Sequence, residues 1–138
     1  MSTLHSIAQW LEKAESDMTA ATDLYRLRTK ALDAICYHCQ QTAEKYIKAV
    51  MVANSMDVPR THNLPRLIGL LAAVARMDET RRREAAWLSE FAVEIRYPSE
   101  KSLALCPKDA ARAIQAASDI RDFCLQLLPP APSDHAET

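Results

Sequence analysis

The chain has 138 residues, 49% of them apolar, and its seventeen Lys and Arg against eighteen Asp and Glu leave a formal net charge of −1. That length fits one domain rather than two, and the apolar share excludes a wholly disordered chain. The near-neutral balance excludes a global field for nucleic acid or an acidic membrane, so any anion must be held by a local arrangement of bases.

Apolar residues recur at spacings of three and four nearly throughout, which is the helical period. The first predicted helix carries Leu4, Ile7, Leu11, Ala14, Met18, Ala21 and Tyr25 on one face. Ser6-Ile7-Ala8-Gln9 reads as a capping box near its start, and Arg26, Arg28 and Lys30 fall in its last turn, where cations suit the dipole. The second helix has Leu32, Cys36, Cys39, Ala43, Ile47, Val50 and Asn54 in register. Pro59 marks a break. Thr61, His62 and Asn63 are candidate caps for a shorter third helix through Leu64, Leu67, Ile68, Leu71 and Val74, with Pro65 tolerated in its first turn. Asp78 or Thr80 opens a fourth, through Leu88, Phe91 and Ile95, ended by Pro98. Residues 97–107 read as a loop, and Pro107 starts a fifth helix through Ala110, Ile114, Ala117, Cys124 and Leu128. Four long helices and one short one predict an all-α, up-and-down bundle over residues 1–128, with 129–138 as a tail.

The single glycine, Gly69, rules out both GxGxxG and GxxxxGK[ST] phosphate loops. The stretch MSTLHSIAQWLEK lacks a basic segment followed by an apolar one, and no run of roughly 18 apolar residues is present, so neither a secretory signal nor a membrane span is expected. A cytoplasmic chain with reduced thiols follows.

Three constellations stand out. On the second helix Tyr37, Gln41, Glu44 and Lys48 form one polar stripe with Lys45 beside it. Periodicity alone makes this a solvated face with a Glu44–Lys48 pair at i,i+4. Arg96-Tyr97-Pro98 offers a guanidinium fork suited to phosphate and a ring on which a base stacks, although helix-end placement and partial burial explain the same residues. His62 is placed to cap the third helix or to titrate near neutral pH.

Together these segments resemble the HEPN domain family. The second helix matches a QQAAEK-x-x-KA pattern at Gln40-Gln41-Thr42-Ala43-Glu44-Lys45-Tyr46-Ile47-Lys48-Ala49, with Thr42 for the usual alanine. Pro59 to Leu64 match P-x-T-H-[DN]-L, and Arg96-Tyr97-Pro98 match the later Arg-Tyr-Pro. The resemblance implies a helical bundle, often a homodimer. It also implies a nucleotide-binding partner of a small nucleotidyltransferase in a toxin–antitoxin pair, or a metal-independent ribonuclease. The ribonucleases carry a histidine four to six positions after an arginine; after Arg96 those positions hold Glu100, Lys101 and Ser102. The expected acid or base is therefore missing, and no catalytic residue is assigned.

With that resemblance, Gln41, Lys45, Lys48, His62, Arg96 and Tyr97 are the candidate nucleotide-binding residues. Lys45, Lys48 and Arg96 would supply charge to a phosphate, Tyr97 or Tyr37 would pack on the base, and His62 would stand at the rim. The expected ligand is a nucleotide or an RNA end, with no cofactor and no metal. A ribonuclease with an unconventional site at Arg96 is the enzymatic alternative. A dimerisation or adaptor module using the same face is the non-enzymatic one. Cys36 and Cys39 form a CxxC, yet both fall on the apolar stripe with His38 rotated away, so they read as core thiols rather than zinc ligands. No glutamate has a histidine three residues on, which sets aside carboxylate metal bundles. Arg81-Arg82-Arg83 read as a solvated, ion-paired face.

Overall fold

A computed structural model describes residues 3–92 and 104–129. Among them every regular element is helical: α1 (Thr3–Arg26), α2 (Leu32–Ala53), α3 (Leu64–Leu71), α4 (Glu79–Ser89) continued by a 3-10 turn at Glu90–Ala92, and α5 (Pro107–Gln126). Asp17 of α1 meets His38 and Lys45 of α2 while Trp10 reaches Lys48, so these two helices run antiparallel. Arg81 and Glu84 of α4 meet Asp119 and Arg112 of α5, again antiparallel. The result is the expected up-and-down bundle, with short α3 as a bridge between α2 and α4. None of the described helices is long and apolar enough to cross a membrane.

Helix α2 packs against all four of the others, and its sequence explains why. Ile35, Cys36, Cys39, Ala43, Ile47 and Val50 form its apolar stripe, and all are fully buried. Each large aliphatic side chain so enclosed contributes on the order of 2 kcal/mol. Facing it, α5 presents Ala110, Ala113, Ala116 and Ala117, whose small side chains let the two backbones approach closely around Ile120 and Cys124.

The helix starts follow local chemistry. Asn63 caps α3 by accepting from the Arg66 backbone N–H at 3.0 Å, with Pro65 in the first turn. Asp78 caps α4, accepting from the Arg81 N–H at 3.2 Å. Pro107 opens α5, where the Asp109 carboxylate accepts from the Cys106 N–H at 2.9 Å. The ends of α1 and α2 are less usual. Arg28 N–H bonds back to Tyr25 and Thr29 N–H to Leu24, closing α1 through a left-handed residue at Arg28, φ 54°. Ser55, φ 56°, closes α2 in the same way, with Met56 N–H bonding back to Met51. In both, an L side chain occupies a position that favours glycine.

Several expectations from the sequence are corrected. Helix α1 already includes Thr3, so Ser6 lies inside it and is not a cap. The helix ends at Arg26, which leaves Arg28 and Lys30 in the connection. Leu4 and Tyr25, placed on the core face by periodicity, lie in the first and last turns of α1 and are exposed. Helix α3 stops at Leu71 and does not reach Val74. The fourth helix tightens to 3-10 geometry at Glu90, and its expected continuation through Ile95 to Pro98 lies outside the described residues.

Ser55→Gly is expected to stabilise the fold by roughly 0.5 kcal/mol in urea denaturation, since relief at positive φ outweighs the added entropy of the unfolded chain. Asp78 gives a pH test. The Arg81 guanidinium, donating to it at 2.8 Å, holds its carboxyl below the usual carboxylate range, and the backbone N–H of the cap adds to this. A lowered folded value means a contribution that is present at neutral pH and lost on acidification through that value. Asp78→Ala should therefore cost about 1 kcal/mol at pH 7. Its deficit against the parent chain should close as denaturation is repeated below about pH 4.

Candidate functional site

The polar stripe of α2 is not solvated. Gln40, Gln41, Thr42, Glu44 and Lys48 are all buried, because α1 covers one side of the stripe and the segment before α3 covers the other. Polar groups so covered must be satisfied inside the molecule, and Gln40, Glu44 and Lys48 meet that need through one another. The Glu44 side chain is 4% exposed and accepts three hydrogen bonds. Lys48 Nζ donates to Oε2 at 2.9 Å, while His62 Nδ1 at 2.9 Å and Gln40 Nε2 at 3.3 Å reach Oε1. The Lys48 ammonium also lies 5.7 Å from the centroid of the Trp10 ring, a cation–π contact that covers the charge from the α1 side.

The Gln40 amide also donates to the His62 carbonyl at 2.9 Å, and Gln41 Nε2 donates to Gln40 Oε1 at 2.7 Å. Ser89 at the end of α4 accepts from the Leu64 N–H at 2.9 Å, which pins the start of α3 from the far side. The segment carrying His62 is thus held by α2 and α4 together. The His62 side chain itself is 60% exposed. An ionised carboxylate only accepts, so Nδ1 is the donor toward Glu44. Nε2 has no partner among the described residues.

Lys45 belongs to a second cluster. Its ammonium pairs with Asp17, whose other oxygen takes His38 Nδ1 at 2.9 Å, and Tyr46 next to it donates to Glu15. The structure therefore brings Gln41, Lys48 and His62 into one network and places Lys45 in another. The charges of both lysines are met inside the molecule by Glu44 and Asp17. Tyr37 stacks at a tilt beside His38, toward the Asp17 cluster. Arg96 and Tyr97 lie outside the described residues. Sequence reasoning reduced Glu44 to a surface partner of Lys48 and missed Trp10, Gln40 and Ser89. Only the QQ-x-x-EK pattern hinted at Gln40, since periodicity does not distinguish a wet polar face from a covered one.

The cysteine pair sits where the stripe predicts. Burial pushes the Cys39 thiol far up, with Cys36 and Asp17 adding to the effect, and burial brings Cys124 to about 12. Both remain protonated, which suits core packing and not metal ligation. Among the described residues no group of three or more His, Cys, Asp or Glu is placed to hold a metal ion. Of the arginine run, Arg81 and Arg83 are paired with Asp78 and Glu79, as a solvated ion-paired face predicts.

Lys48→Met removes the cation from a carboxylate that stays buried, so it should cost about 3 kcal/mol or more in chemical denaturation. Adding Glu44→Leu should recover much of that loss, and strict additivity of the two would show that they do not interact in the fold.

Comparison with known proteins agrees with this architecture. Three crystal structures share the fold. That of ST0689, an archaeal HEPN homologue, is 20% identical with a TM-score of 0.71, covering 88% of this chain and 97% of its own. TT1696 from Thermus thermophilus is 20% identical with a TM-score of 0.77, over 88% and 98%. A HEPN domain protein, tm0613 from Thermotoga maritima, is 22% identical with a TM-score of 0.71, over 86% and 96%. No curated protein matches the sequence. The family model for the HEPN domain matches residues 7–127, nearly the whole bundle including the QQ-x-x-EK stripe and His62, and the chain belongs to the HEPN domain family.

Proposed function

We propose that this chain is a cytoplasmic binding module without hydrolytic chemistry of its own, taking a nucleotide or an RNA end at the His62 edge of α2. On this reading it is a homodimer that works beside a small nucleotidyltransferase in a toxin–antitoxin-like pair. The observation that carries the reading is the buried Glu44 carboxylate gripping both Lys48 and the Nδ1 of an exposed His62. A ring fixed through one nitrogen presents the other in a set direction, ready to meet a phosphate oxygen or a base edge. Gln40 and Gln41 lock the segment that bears it, and Lys48 pairs with the Glu44 carboxylate in its enclosed position. Arg96 and Tyr97 would complete the site with a phosphate fork and a stacking ring.

One observation favours a second reading, a metal-independent ribonuclease. A carboxylate-oriented imidazole is the arrangement of a general acid or base. Glu44–His62 would then supply the histidine that the segment after Arg96 lacks.

Thermal denaturation with ATP, and separately with a 5′-phosphorylated oligoribonucleotide, tests both. Binding predicts stabilisation that grows with concentration, by about 2.7 kcal/mol at a hundredfold excess over Kd, and is lost in His62→Ala. Stabilisation by neither ligand overturns the binding reading. Cleavage of the oligonucleotide in EDTA, abolished by both His62→Ala and Arg96→Ala, replaces it with the enzymatic one.

A further inference from the structure

A concavity lies where the last turn of α1, the α1–α2 connection and the starts of α2 and α5 meet. It encloses about 790 Å³, within the range of roughly 300–1,000 Å³ usual for small-molecule sites. Its floor is aliphatic, built from Leu32, Ile35, Ala111 and Ile114. Polar groups are confined to the α1 end. There Thr22 donates to backbone carbonyls of its own helix and the Thr29 hydroxyl accepts from the Ala31 N–H, which leaves Arg26, Arg28 and the Tyr25 hydroxyl to face a ligand.

Arg28 is the informative member. It occupies the left-handed position that closes α1, where glycine is the low-cost residue, and it pairs with no carboxylate among the described residues. Arg26 has only a long, exposed contact of 3.8 Å to Asp23. Two guanidinium groups at one end of an aliphatic trough call for a single anionic head on an apolar body.

We propose that this groove is a binding site for an acyl-chain carboxylate, with the head on Arg26 and Arg28 and the chain laid over Leu32, Ile35 and Ile114. The site is separate from the His62 network, so its fate does not depend on the nucleotide reading.

Titration of the full chain with dodecanoate, followed by backbone amide NMR and calorimetry, tests this. Saturable shifts at Thr29, Leu32, Ala111 and Ile114 are expected. Arg28→Ala, which leaves the backbone cost at this position unchanged, should weaken binding about fivefold. Ala111→Trp, filling the trough from a half-exposed position, should abolish it without lowering the melting temperature. Dodecanol should bind roughly tenfold more weakly than dodecanoate. The proposal is overturned by equal binding of the alcohol, by shifts confined to another face, or by displacement of dodecanoate by AMP. It is also overturned if Ala111→Trp converts a dimer to a monomer, since a second copy of the chain would then be the occupant.

Discussion

The placement of His62 depends on one buried ion pair, Glu44 with Lys48, in the enclosed middle of α2. Helix α2 packs against all four others, so Gln40, Gln41, Thr42, Glu44 and Lys48 are buried along with its apolar stripe. Enclosed charges are tolerated only when paired and hydrogen-bonded, and Glu44 meets that condition by accepting from Lys48, His62 and Gln40 at once. An apolar pair of similar volume would hold the bundle as well or better. What the ionic arrangement adds is direction: it fixes the segment from Pro59 to Leu64 on α2 and aims an imidazole outward.

This couples fold and site through a few contacts. The His62 carbonyl accepts from Gln40, and Ser89 accepts from the N–H that starts α3, so the same segment is tied to the second and fourth helices. Trp10 contributes from α1 by covering the Lys48 ammonium. Four elements therefore converge on one carboxylate. The concavity at the α1–α2 connection is built differently, from an aliphatic trough edged by arginines, with Arg28 held in a strained cap. A chain with one glycine has few cheap ways to end its helices, and both Arg28 and Ser55 carry that cost.

Much of the bundle is legible in the residue pattern. Of the stripe from Leu32 to Asn54, Cys36, Cys39, Ala43, Ile47 and Val50 are buried in full while Leu32 is half-buried and Asn54 exposed; Asn63 and Asp78 cap where short polar side chains precede apolar periods, and Pro107 opens the last helix. These succeed because helical period, capping and proline geometry are local properties. The failures are also local inferences pushed too far. Leu4 and Tyr25 share the period of the core face but fall in the end turns of α1, outside the packed core. Ser6 has the composition of a cap yet follows three residues that are already helical.

The sequence by itself determined the helices, their number and most of the apolar core, because backbone conformation responds to neighbours three and four residues away. It also placed Gln40, Gln41, Glu44, Lys48 and His62 in a recognisable order. Only the tertiary structure decided that the second polar stripe is dry, that Lys45 answers to Asp17 while Lys48 answers to Glu44, and that His62 belongs with the latter. Each of these turns on which remote surface covers a residue. Solvent exclusion is a property of the packed assembly of helices, and no periodicity within one helix encodes it.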